Sequence, residues 1–148
     1  MSEAINAYVN AAATWSAITS PGDSWGGALR AQLGTEEALI WARLPRRPLP
    51  RFVHGPKGET GELATHGWRG AHQRWQLALE RTLPIEQSLE ELEKLGGRLI
   101  VPGSEQWRSR LDSLGYSAPA ALWTLGSGGL PPLTQPTVAI VGGRAATA

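Results

Sequence analysis

The chain of 148 residues contains no cysteine, which excludes disulfides, thiolate nucleophiles and cysteine-bound metals together. It also lacks any apolar run near the roughly 18 residues that a membrane-spanning helix needs. Met1-Ser2-Glu3 opens it without the basic flank and apolar stretch of a secretory signal. These absences read as a cytoplasmic protein. Histidine is scarce: His54, His66 and His72 are the only three, and none forms a helical pair framing a carboxylate, so neither a metal nor another cofactor is expected. Charge of one sign is lacking overall, with 14 Lys+Arg against 13 Asp+Glu.

The balance is uneven along the chain. Residues 1–42 hold one base, Arg30, against Glu3, Asp23, Glu36 and Glu37, a net charge of −3. Residues 43–81 hold Arg43, Arg46, Arg47, Arg51, Lys57, Arg69, Arg74 and Arg81 against three glutamates, a net charge of +5. Arginine offers a planar fork suited to phosphate, so this stripe hints at nucleic acid. The plainer alternative is a solvated loop and helix face.

Apolar spacing predicts helices through the first part of the chain. Ile5, Tyr8, Val9, Ala12, Trp15 and Ile18 recur at three- and four-residue steps and mark an opening amphipathic helix over 3–18. Pro21-Gly22-Asp23 is turn chemistry, with Asp23 or Ser24 suited to accept from the free amides of a next short helix ending near Leu33. Gly34 fits its C-terminal position, and Thr35 is expected to cap a third helix over 36–44. Residues 44–58 hold four of the eleven prolines and read as a loop. Helix resumes near His66, with Trp68, Ala71, Trp75, Ala78 and Leu79 on one face. Another spans 84–95 and stops at Gly96-Gly97.

Beyond Arg98 the pattern changes to short apolar runs. Residues 99–101 and 120–125 read as strands around a helix that Ser104 caps and that carries Trp107, Leu111 and Leu114. Residues 138–141 read as a third strand. Helix between apolar runs indicates the start of a parallel α/β sheet. Only seven residues follow the third strand, too few for a crossover helix and a neighbouring strand, so the chain reads as the N-terminal piece of a longer protein.

Few residues suggest chemistry. Gly142 and Gly143 follow the third strand, where bare main-chain amides and Arg144 can meet a phosphate; a simple tight turn is the alternative. A dinucleotide fingerprint is excluded by the absent third glycine. Trp15, Trp41, Trp75 and Trp107 fall on apolar helical faces and Trp123 in a strand, so core packing is expected of them, with Trp25 and Trp68 less fixed. Glu86, Glu90, Glu91 and Glu93 have the spacing of a wet helix face rather than of catalytic carboxylates. The histidines are expected in loops or on exposed turns. No catalytic constellation forms, and the protein is not expected to be an enzyme.

Taken in order, Leu92-Glu93-Lys94-Leu95-Gly96-Gly97-Arg98-Leu99-Ile100-Val101-Pro102-Gly103-Ser104-Glu105-Gln106-Trp107, Leu111-Asp112-Ser113-Leu114, Pro119-Ala120-Ala121-Leu122-Trp123 and Val138-Ala139-Ile140-Val141-Gly142-Gly143-Arg144 resemble the DNA-processing protein DprA (Smf) family. The resemblance covers residues 85–148. Upstream, Ser20-Pro21-Gly22-Asp23, the step Gly34-Thr35-Glu36-Glu37-Ala38-Leu39 and the long helix are similar to that family's N-terminal helical domain, particularly in its actinobacterial versions. The resemblance implies a small helical domain over 1–83, SAM-like or helix-hairpin-helix-like, with a Pro-rich loop at 44–58. It implies the truncated start of an extended Rossmann parallel sheet over 84–148.

Functionally, the resemblance implies single-stranded DNA binding in natural transformation, protecting incoming DNA and helping to load the RecA recombinase, as a homodimer in the full-length protein. The DNA-binding turn then maps onto Gly142, Gly143 and Arg144, with Thr147 at the following small-hydroxyl position. Gly143 departs from the family by replacing a hydroxyl residue, and Arg108 stands where proline commonly follows the aromatic, here Trp107. Two other classes stay open: a nucleotide-processing Rossmann enzyme, and a helical protein-interaction module.

Overall fold

The computed structural model describes residues 3–44, 48 and 53–126. The expected third strand, the turn at Gly142, Gly143, Arg144 and Thr147, and Arg46, Arg47 and Arg51 lie outside the described residues. Five α-helices come first: α1 (Glu3–Ile18), α2 (Ser24–Leu33), α3 (Thr35–Arg43), α4 (Gly61–Arg81) and α5 (Ile85–Lys94). Strand β1 (Arg98–Ile100), a 3-10 segment (Ser109–Ser117) and strand β2 (Leu122–Thr124) complete the order among the described residues. The class is helix-rich α/β.

The first helix has the expected bounds because its apolar residues serve two neighbours. Trp15 and Ile18 enter the core formed with α2, α3 and α4. Ala12, on the other side, packs with Val101 and Ala121 beside Tyr8, Val9 and Leu99. Thus α1 is held between the other helices and the strand pair. Asp23 caps α2, its Oδ1 accepting from the amides of Trp25 at 3.1 Å and Gly26 at 3.3 Å. Gly34 ends α2 at φ 86° and also precedes α3, whose N-cap it supplies. Thr35 is therefore the first residue of α3 rather than its cap, and its carbonyl accepts from the Trp15 indole at 3.0 Å.

The long helix α4 begins at Gly61, five residues before the expected start at His66. Three glycines in its first half argue locally against helix, and packing overrides them. Gly67 carries the edge of the Trp25 ring where any side chain would collide with it. Four indoles are buried in this core: Trp15, Trp41, Trp68 and Trp75. They meet mostly edge to face, Trp15 with Trp75 at 5.0 Å between centroids and Trp41 with Trp68 at 6.2 Å, and Trp25 joins Trp68 at 4.7 Å. Each such pair is worth about 0.5–1.5 kcal/mol beyond its buried area.

Two expectations fail after Gly97. Strands β1 and β2 pair antiparallel, Arg98 opposite Thr124, Leu99 opposite Trp123 and Ile100 opposite Leu122. A parallel pair needs a covering crossover, and the expected helix from Ser104 does not form. The Ser104 hydroxyl donates to the Val101 carbonyl at 2.7 Å, and the Trp107 amide to the Ser104 carbonyl at 3.0 Å, so these residues make turns. The following 3-10 segment is broken at Gly115, whose φ of 56° and ψ of −130° are not helical. This segment lies on α2 instead of on the sheet. There Gly27 approaches the Tyr116 carbonyl so closely that a Cβ would overlap it.

Candidate nucleic-acid interface

A nucleic-acid surface needs cations that are free to meet phosphate. Arg43 at the end of α3, Lys57 in the turn before α4, and Arg69, Arg74 and Arg81 on α4 are all exposed. Among the described residues the side chain of none of these five forms an ion pair or hydrogen bond, although the Lys57 amide donates to the Glu59 carboxylate at 2.7 Å. Their directions differ, however. Arg74 and Arg81 are two turns apart on one side of α4, while Arg69 precedes Arg74 by five residues and is rotated from it by roughly 140°. Arg74 borders a 450 Å³ cleft with Asp23 and Trp75, and Arg43 a different one with Gln76 and Glu80. The described members of the basic stripe are thus spread around the helices.

Aromatic stacking platforms are equally dispersed. Trp15, Trp41, Trp68 and Trp75 are core, as the helical spacing indicated for all but Trp68. Trp107 and Trp123 are not core. Trp107 is half-buried and its indole donates to Asp112 at 2.9 Å, because the helix expected to bury it is a turn. Trp123 is 39% exposed, with its indole donating to the Ser16 hydroxyl at 2.8 Å, since a two-stranded sheet leaves one side open. Glu86, Glu90, Glu91 and Glu93 are exposed, in keeping with a wet face.

His66 is exposed and His54 sits in the loop before α4, as expected, but His72 is half-buried against the Trp41 ring at 4.7 Å. Its Nε2 has no partner, and neither has the neighbouring Trp68 Nε1. Among the described residues no His, Asp or Glu group is arranged to hold a metal ion, and no helix is long and apolar enough to cross a membrane.

One polar cluster has no counterpart in the sequence reading. A 380 Å³ cleft between α1, α2 and the 3-10 segment is lined by Tyr8, Arg30, Thr35, Trp107, Asp112 and Tyr116, among others. Arg30 anchors it: Nε donates to the Gly26 carbonyl at 3.3 Å and Nη2 to the Ala118 carbonyl at 3.2 Å. Burial lowers the Arg30 pKa, against the attraction of Tyr8 and Asp23. The Tyr8 phenol is raised, chiefly by burial, which outweighs the nearby Arg30 charge; its hydroxyl donates to the Pro102 carbonyl at 3.3 Å. Arg30 is the one base within an acidic stretch of 42 residues. That isolation was the available signal.

No protein-family model matches the chain, and no curated protein or solved structure matches it.

Proposed function

We propose that this protein is a DprA-like single-stranded DNA-binding protein that works by phosphate contact, without bond-making chemistry. The single observation behind this reading is the ordered series of sequence motifs from Leu92 to Arg144. In this proposal residues 1–83 are a helical accessory domain and residues 84–148 begin an extended Rossmann unit. The DNA site is the turn at Gly142, Gly143 and Arg144, with Thr147 following. RecA recombinase and a second copy of the chain are the protein partners, and uptake of transforming DNA is the process served.

The described motif residues pack on one another, although the antiparallel pairing of β1 and β2 is not the parallel order expected of a Rossmann sheet. Leu92 is buried and Gly97, against which it packs, also abuts the Thr124 carbonyl of β2. Leu99 and Trp123 are register partners. These motif residues therefore support one another, as parts of one folded unit do.

Arg144 carries the test. In the full-length protein, Arg144→Ala should weaken binding of a fluorescein-labelled oligo-dT strand by about 1.5–3 kcal/mol, the worth of a hydrogen bond to a charged group. Arg144→Lys should recover only part of the loss, since it lacks the planar fork. Anisotropy titrations at moderate salt measure both. Unchanged affinity in the alanine variant removes Arg144 from the site.

A further inference from the structure

Arg30 is a half-buried cation that Asp23 attracts from a distance, with no carboxylate in ion-pair contact among the described residues. Arginine stays charged at any physiological pH, and a buried charge is costly unless it is paired. Two of its five donors are used, on the carbonyls of Gly26 and Ala118. The rest remain for an acceptor that the described chain does not provide.

Arg30 lines two cavities. The smaller, 210 Å³, also contains Asp23, whose carboxylate repels anions. The larger, 380 Å³, is lined by Arg30 together with the half-buried rings of Trp107 and Tyr116, while the Tyr8 hydroxyl in it is already committed to the Pro102 carbonyl. Its volume falls in the range of small-molecule sites. Donors on one side and flat rings on another are the two needs of a phosphate joined to a planar base. Asp112, exposed at the same cleft and tied to the Trp107 indole, adds a negative charge that opposes the ligand.

We propose that the cleft between α1, α2 and the 3-10 segment binds one nucleotide unit, its phosphate on the unused donors of Arg30 and its base against Trp107 and Tyr116. The unit is either a free mononucleotide or one residue of a DNA strand. The proposal does not rest on Arg144.

Isothermal titration of the whole chain tests this with deoxyadenosine monophosphate, deoxyadenosine, inorganic phosphate and a ten-residue oligo-dA strand, in wild-type and Arg144→Ala backgrounds. The monophosphate should bind at least tenfold more tightly than either deoxyadenosine or phosphate, and equally in both backgrounds. Arg30→Gln and Trp107→Leu should each weaken it about tenfold, as the loss of one charged contact or one stacked base does. Asp112→Asn, which keeps an oxygen for the Trp107 indole, should tighten it roughly two- to fivefold, a gain that damage to the fold would not give.

In the Arg144→Ala background, an oligo-dA strand that binds more tightly than the monophosphate assigns the site to DNA. Equal or weaker binding assigns it to free nucleotides. Phosphate alone binding as tightly as the monophosphate overturns the proposal, as does no binding of the monophosphate at millimolar concentration. Should Arg30→Gln fail to fold, indifference to both Trp107→Leu and Asp112→Asn overturns it equally.

Discussion

Asp23 holds the helical part together with one carboxylate. Its Oδ1 takes the free amides at the start of α2, and its Oδ2 accepts from the buried Trp75 indole at 2.8 Å, 52 residues further on. Asp23→Ala should therefore remove a helix cap, about 1 kcal/mol, and strand an indole N–H in the core, about 1–3 kcal/mol more. Urea denaturation followed by circular dichroism should give a total loss of roughly 2–4 kcal/mol. Asp23→Asn, with one oxygen left for two duties, should lose about half as much. A loss under about 0.5 kcal/mol in the alanine variant would mean that the indole finds water instead. The capping half of this role was legible in the sequence, because Asp23 follows Pro21-Gly22 and precedes an apolar helix. The Trp75 half was not: nothing local records a partner 52 residues away.

Among the elements, those that bury a stripe were legible and those that do not were misread. Spacing placed α1 at its observed ends, since both of its apolar sides are used. The 3-10 segment has Leu111 and Leu114 at helical spacing from Trp107, yet it has no buried residue and Leu114 is 53% exposed. Spacing without burial gives no drive toward α-helix. Strand direction was hidden too, because three-residue apolar runs look alike in parallel and antiparallel pairs. The contact that fixes the 3-10 segment turns on Gly27 of α2, and it sets two effects in opposition. Alanine in place of a mid-helix glycine gains up to about 1 kcal/mol, but at Gly27 the new Cβ meets the Tyr116 backbone, which has no flexible end to yield. Gly27→Ala should thus cost a net 2–3 kcal/mol or so. In Gly70→Ala the nearest atom to the new Cβ is the tip of Arg74 at 3.7 Å, so the propensity gain should survive. Thermal melts of the two variants should move in opposite directions; a common direction would show that the Gly27 contact relaxes at no cost.

At the scale of the whole molecule, the described bases of the +5 segment form a dispersed set instead of a track. Arg69 stands on a different side of α4 from Arg74 and Arg81, so one DNA strand does not follow all three. Replacing the three with glutamine should change the salt dependence of DNA binding in the full-length protein by no more than one contact, about 0.7 log units per decade of salt. A fall of about two units would reveal α4 as a binding surface. The candidate DNA turn at Arg144 was read from motif order alone, whereas the Arg30 cleft needed three distant segments folded together before it existed. The tryptophan core has an optical consequence. Trp41 lies 6.3 Å and Trp68 6.5 Å from Trp75, with Trp15 and Trp25 at the two ends of the network. At these separations excited indoles couple and pass energy among themselves, so the helical part absorbs and emits as a single ensemble chromophore. Its near-ultraviolet dichroism reports the packing of four helices at once, while Trp107 and Trp123, outside that network, contribute as separate emitters.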